Sequence, residues 1–344
     1  MSTHLSYLDV AKRCDNFRPQ DSSEPLTPFR LSPSTNPPIG LLLPPVVAAL
    51  VADNVVHRAQ NLPESWLIHT PASTSSERSY VAFAPHLTDH AARSAALATL
   101  CSSWRDAGVF VEKLGANLWR DELYDVYWDP FKRHGKSLEP TDTGAERTSD
   151  ANLAFSLERA ACVLFGVITC GVNMTVFEQD ENSIRVWVPR RAKGKPTFPG
   201  MLDNSVGGGI AAGTSVHETL VKEAMEEASL PADAIHKYAR STGALSYFYR
   251  MDTGHLQPEI AYVYDMHVPV GKYTLKPMDG EVESFELLPL KEVIAHLRAG
   301  EFKPNCGLVL LDFLIRKGYV TPDDEPDFME IITRLHGRFD IDKW

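Results

Sequence analysis

The sequence predicts an α/β chain of the α+β kind: a mixed sheet sandwiched between helices, preceded by a smaller α/β N-terminal domain. Three observations predict it. The chain has 344 residues, more than one typical domain uses. Its second half alternates strand-like and helix-like segments, as layered α/β domains do. A polar stretch with Gly and Pro at 132–152 separates that half from the first. The expected division is 1–150 for the N-terminal accessory domain, 151–320 for the main domain and 321–344 for a C-terminal extension.

Taken in order, Ser6–Phe17 (SYLDVAKRCDNF) has a short helical pattern. The Pro/Ser-rich run at 18–40 predicts extended, exposed chain. Leu41–Val51 reads as a buried helix or turn-rich core piece, and Tyr80–Ala84 as a strand. His86–Ala107 is helical, with Leu87, Ala91, Ala95, Leu97 and Leu100 near one face. The aromatic run Leu118–Trp128 fits a strand. Farther on, Cys162–Val176, Ser183–Val188, Ala244–Tyr249, Ile260–His267 and Ser284–Leu288 read as strands. Ser215–Ser229, Leu290–Ala299 and Leu308–Lys317 read as helices.

Charge and cysteine usage narrow the function classes. With 34 basic and 45 acidic residues the net charge is −11, and no dense Lys/Arg stripe occurs. Nucleic acid is therefore not an expected partner. The longest apolar stretch, Ile39–Val51, is too short to span a bilayer and holds two prolines, so no membrane association is expected. The five cysteines are odd in number and widely spaced, which predicts free thiols and a cytoplasmic setting. An anionic ligand would then need a local basic pocket or a bridging cation. No sequence feature bears on the oligomeric state.

One constellation carries chemistry. Glu223, Glu226 and Glu227 are spaced i, i+3, i+4, so a helix places them on one side. Like charges so placed repel, and they are tolerated in open water or around a cation. Ser215 and Glu218 form a capping-box pattern at the helix start. The Gly-rich run VGGGIAAG leads into it, and glycines let backbone approach phosphate or metal closely. Arg190, Arg191, Lys193 and Lys195 cluster just before that run, with Lys195 and Arg190 the leading phosphate contacts. Tyr247, Phe248 and Trp187 are flat side chains suited to stacking on a ring. Asn305 and Cys306, in FKPNC, either line the pocket or cap the following helix.

From Gly208 the segment GGIAAGTSVHETLVKEAMEEASL resembles the Nudix hydrolase box, G-x5-E-x7-R-E-U-x-E-E-x-G-U, with U apolar. Gly208, Glu223, Ala224, Glu226, Glu227 and Leu230 match in register; Thr214, Lys222 and Ser229 depart from it. The segments from Leu157 to Tyr319 and, more loosely, FVEKLG and LWRDELYDVY resemble one subfamily. It is the fungal and plant thiamine pyrophosphokinase-related Nudix proteins, which carry an extra N-terminal domain. The resemblance implies the Nudix fold and a Mg²⁺- or Mn²⁺-dependent diphosphatase acting on a small-molecule diphosphate. Glu223, Glu226 and Glu227 would be catalytic metal ligands, Gly208 a further metal-site residue and Glu281 an added carboxylate, with Glu283 as the neighbouring candidate. Arg190, Lys195, Tyr247 and Asn305 would bind substrate. The activity implied is cleavage of thiamine diphosphate, or its damaged oxo and oxy forms, to the monophosphate and phosphate.

Two other readings compete: a Nudix hydrolase of oxidised nucleotides or nucleotide sugars, and a catalytically weak diphosphate-binding module, motivated by Thr214, Lys222 and Ser229. Isopentenyl diphosphate isomerase shares the fold, but its loop cysteine has no counterpart at Leu202–Asn204. A kinase is excluded by the lack of any G-x4-G-K-[S/T] loop.

Overall fold

A computed structural model describes residues 4–35, 37–71, 78–132, 152–181, 183–341 and 344. The chain opens with α1 (Tyr7–Lys12), whose Ser6–Asp9 capping box satisfies the first-turn amides. β1 (Thr27–Arg30) and β2 (Gly40–Leu42) follow, then α2 (Pro44–Ala59), β3 (Trp66–His69), β4 (Tyr80–Phe83) and α3 (His90–Asp106). The first helical positions of α2 hold Pro44 and Pro45, where a missing amide hydrogen costs nothing. A short α4 (Val111–Leu114) leads to β5 (Leu123–Tyr127), and β6 (Leu153–Glu158) pairs with it antiparallel. Strands β1–β4 form a sheet in the order β2-β1-β4-β3.

The second half begins with α5 (Cys162–Phe165), then β7 (Thr169–Gln179), β8 (Ile184–Arg191) and β9 (Val206–Gly209). After them come α6 (Val216–Ala228), α7 (Ala232–Tyr238), β10 (Ala239–Arg250), β11 (Leu256–Val268) and β12 (Val282–Pro289). α8 (Leu290–Arg298), α9 (Pro304–Arg316) and α10 (Phe328–Leu335) close the chain. The mixed sheet runs β10-β11-β7-β8-β12, with β9 paired to β7; β11 and β7 are parallel, the other pairs antiparallel. One face packs on α8, α9, α1 and α10 through Leu297, Leu308, Phe313, Val10 and Ile331. The other packs on α6 and α7 through Leu220, Ala224 and Ile235. The predicted sandwich is therefore present, with a smaller α/β region before it.

Two local expectations are corrected. The Pro/Ser-rich run is not uniformly exposed: it holds β1, whose Phe29 is completely buried among Trp66, Phe83, Phe155 and Phe165. Four aromatic neighbours outweigh the composition of the run. Cys162–Val176 is not one strand: Cys162–Phe165 is helical, and Gly166 turns left-handed (φ 55°) before β7 starts. At Ser229 the helix ends in the left-handed conformation (φ 56°) without glycine; its hydroxyl donates to the Lys276 carbonyl. The polar linker lies, but for its ends, outside the described residues, as does the boundary near 150.

Packing interleaves the sequence segments. β6 and Ala161–Val167 fill the core beneath α2 and α3. Conversely, Val10, Ala11 and Cys14 belong to the core beneath α9. Asp15 fixes this crossing: buried, it accepts from the Phe248 amide at 3.0 Å, binds Arg18 through both oxygens at 2.9 and 2.5 Å, and meets Arg334 at 3.2 Å. Asp15→Ala would leave Arg18 without its carboxylate and the buried Phe248 amide without its acceptor, while Arg334 keeps Glu330. It should therefore cost about 3–5 kcal/mol in urea unfolding; a loss below about 1 kcal/mol would show that α1 is peripheral.

Candidate active site

The site is built on β9 and α6. Ser215 Oγ accepts from the Glu218 amide at 3.2 Å, and Glu218 Oε2 accepts from the Ser215 amide at 2.8 Å, so the helix starts where the capping box predicts. Its apolar stripe of Leu220, Ala224 and Ala228 docks on the sheet. That rotation aims Glu223 and Glu227 at β9. Each of the three glycines there meets a different side chain. The Gly207 amide donates to Glu227 Oε2 at 3.2 Å. A Cβ on Gly208 would collide with the Glu223 carboxyl, and one on Gly209 with the Tyr124 hydroxyl. The tri-glycine is thus a close-approach surface.

Glu223 and Glu227 line a cavity of about 330 Å³, and burial raises the pKa of both. For Glu223 it reaches about 7, desolvation leading and the Glu226 charge adding to it. For Glu227 it reaches about 8, desolvation leading and Asp203 and Glu223 adding. Carboxylate oxygens of Glu227, Asp279 and Glu281 lie within 4.8 Å of one another. This hard oxygen donor set fits Mg²⁺ or Mn²⁺.

Other predicted residues distribute as follows. Glu226 faces outward, more than half exposed, 3.7 Å from Lys222 Nζ, and does not line the cavity. Lys195 lines the cavity and hydrogen-bonds Glu281. Burial alone would raise the pKa of Glu281, but the Lys195 bond and charge bring it below the usual carboxylate value. Arg190 does not line the cavity; its Nη1 holds the Gly200 carbonyl at 2.9 Å. Its neighbour Arg191 does, pairing with Asp203 at 2.5 Å and holding the Phe198 and Thr197 carbonyls at 3.1 and 3.0 Å. Tyr247 and Asn305 both line it, the Tyr247 hydroxyl donating to Glu259. Phe248 and Trp187 are core residues. Glu283 does not line the cavity. Cys306 is buried and donates to Asp203 Oδ1 at 2.6 Å. None of the five cysteines forms a disulfide, and no helix among the described residues is long and apolar enough to cross a membrane.

Several residues escaped sequence reasoning: Glu259, Gln257, Lys303, Arg159, Arg120 and Lys113 line the cavity, and Asp279 groups with Glu227 and Glu281. Asp279 sits two residues before a flagged carboxylate, the one signal that pointed to it. Glu259 accepts from Gln257 Nε2 at 2.9 Å and Thr169 Oγ1 at 3.3 Å; its role depends on strand pairing that spacing alone does not encode.

Part of the chain is similar to known proteins. Residues 169–306 match the family model described as the NUDIX domain. An uncharacterized protein of Saccharomyces cerevisiae is 43% identical over 194 residues, covering 53% of this chain and 56% of that protein. "Nudix hydrolase 20, chloroplastic" of Arabidopsis thaliana is 37% identical over 190 residues, covering 55% of this chain and 50% of that protein. The chain thus spans about half the length of the curated relatives it matches. Among solved structures, the NUDIX domain of Shewanella oneidensis NrtR with ADP ribose is similar at 14% identity and TM-score 0.35, covering 45% of this chain and 91% of that one.

The raised carboxyl values set a sign for stability. Glu223 and Glu227 bind protons in the fold at pH values where the unfolded chain has lost them. Stability therefore falls as pH rises from about 4.5 to 8. Without added cation, the melting temperature of Glu227→Gln should fall less than wild type between pH 6 and pH 8; identical slopes would place Glu227 in solvent.

Proposed function

We propose that the chain, with its NUDIX domain at 169–306, is a hydrolase of phosphoanhydride bonds that cleaves an organic diphosphate to a monophosphate and phosphate. The observation that carries this reading is the gathering, in one cavity, of desolvated Glu223 and Glu227 with Glu281 and Lys195. Glu223, Glu227, Asp279 and Glu281 are the residues that would hold Mg²⁺ or Mn²⁺, and Gly208 gives Glu223 the room to reach it. When bound, such a cation neutralises phosphate charge and acidifies a coordinated water. Glu223 or Glu227, lining the same cavity, would take a proton from the attacking water. Glu226, on the outer face, holds Lys222 and adds negative charge behind the pair. Lys195 balances Glu281 and offers a cation to the phosphates, while Arg190 and Arg191 brace the loop that carries it.

For the substrate we propose thiamine diphosphate or its oxo and oxy analogues. Support comes from the subfamily resemblance of Leu157–Tyr319. It comes also from the polar end of the cavity, where Tyr247, Gln257, Glu259 and Asn305 offer partners to a substituted ring. Phosphate release from thiamine diphosphate, oxythiamine diphosphate, 8-oxo-dGTP and ADP-ribose, with Mg²⁺ and with EDTA, tests both levels. EDTA-sensitive release led by the thiamine compounds is expected. Release led by a nucleotide discards the thiamine assignment, and silence from folded protein discards the hydrolase. On the best substrate, Glu227→Gln should lower turnover by at least about a hundredfold with the fold intact. Near wild-type turnover in saturating Mg²⁺ would remove Glu227 from the reaction.

A further inference from the structure

The cavity has two walls of different origin. The NUDIX-matched segment gives Glu223, Glu227, Glu281 and Lys195; segments before residue 169 give Lys113, Arg120, Tyr124 and Arg159. The second wall holds three cations against one acid, Glu112, in a chain whose net charge is −11. Arg159 lies in the tight turn Arg159–Ala161 after β6. Its amide donates to the Glu122 carbonyl at 2.8 Å, its Nη1 binds Glu122 Oε2 at 2.8 Å, and its guanidinium lies 5.3 Å from the Tyr124 ring centre. Among the described residues Glu122 is its one ion-pair partner, engaging a single nitrogen of a group with five N–H donors.

This wall is locked to the glycine strand. The Ala212 amide donates to the Leu123 carbonyl at 2.7 Å, the Gly213 amide donates to Asp125 Oδ2 at 2.9 Å, and Tyr124 occupies the space over Gly209. Arg159 is therefore fixed relative to the carboxylates of α6. Lys222, at the arginine position of the box, instead turns outward to Glu226. A diphosphate drawn to the carboxylates through a cation still presents phosphate oxygens to Arg159, whose charge acts on Glu223 and Glu281 and whose planar guanidinium can bind two oxygens at once.

We propose that Arg159, with Arg120 and Lys113 of the same cavity, is a phosphate-binding residue supplied by the chain before the NUDIX match, so that residues 169–306 alone are an incomplete site. The inference rests on the diphosphate reading but not on turnover. Calorimetric titration of the full chain with methylenediphosphonate in Mg²⁺ tests it, because that probe is not hydrolysed. Arg159→Ala should weaken binding by at least about tenfold, Arg159→Lys by less, and Lys222→Ala within about twofold. The Mg²⁺-induced rise in melting temperature should persist in Arg159→Ala. If that variant does not fold, Arg159→Gln, which keeps a donor for Glu122, is read by the same criteria. Wild-type-like binding by the variant, an equal loss of the Mg²⁺ response, or no binding by wild type overturns the proposal. Arg159-dependent binding without hydrolysis of any substrate would sink the hydrolase reading and leave this one standing.

Discussion

The structure turns on two carboxyl groups taken out of water. Glu223 and Glu227 stand one helical turn apart on α6, and both are pressed against a strand of glycines. Desolvation pushes their pKa values to about 7 and about 8, so each resists ionisation near neutrality. A fold that maintains such a pair loses stability at neutral pH relative to one without it. Surrounding features answer to that cost. The Gly207 amide donates to one carboxylate, and Gly208 clears space for the other. Lys195, Arg191 and Lys303 bring positive charge to the same cavity.

The N-terminal region is part of this arrangement. Its β5–β6 pair lies against the turn after the glycine strand, and Tyr124 makes glycine obligatory at 209. In the other direction, α1 and Asp15 are built into the core beneath α9 and α10. The two halves share cores at both ends, which explains how side chains from each face one cavity. A shortened chain starting near residue 151 would lose Asp15 as well as the wall that carries Arg120.

Much of this was legible in the sequence where one physical rule acts locally. The capping box at Ser215 and Glu218 gave the start of α6, and i, i+3, i+4 spacing gave its acidic side. Yet helical spacing spans a broad arc and does not say which member of a triplet faces inward. The docking of Leu220, Ala224 and Ala228 decides that, turning Glu227 in and Glu226 out. Likewise, composition suggested an exposed Pro/Ser run, while the aromatic cluster around Phe29 drew part of it into the core. Arg159 and Glu259 were invisible for a different reason. Each reaches the cavity through strand pairing or docking between distant segments, which no local pattern encodes.

The central claim is that the inward carboxylates form a cation site. Titration of Mn²⁺ followed by electron paramagnetic resonance tests it directly, using wild type, Glu227→Gln and Glu283→Gln, the last altering an acid outside the cavity. The account predicts binding by wild type and Glu283→Gln alike and at least about tenfold weaker binding by Glu227→Gln. Equal binding by all three proteins would contradict it.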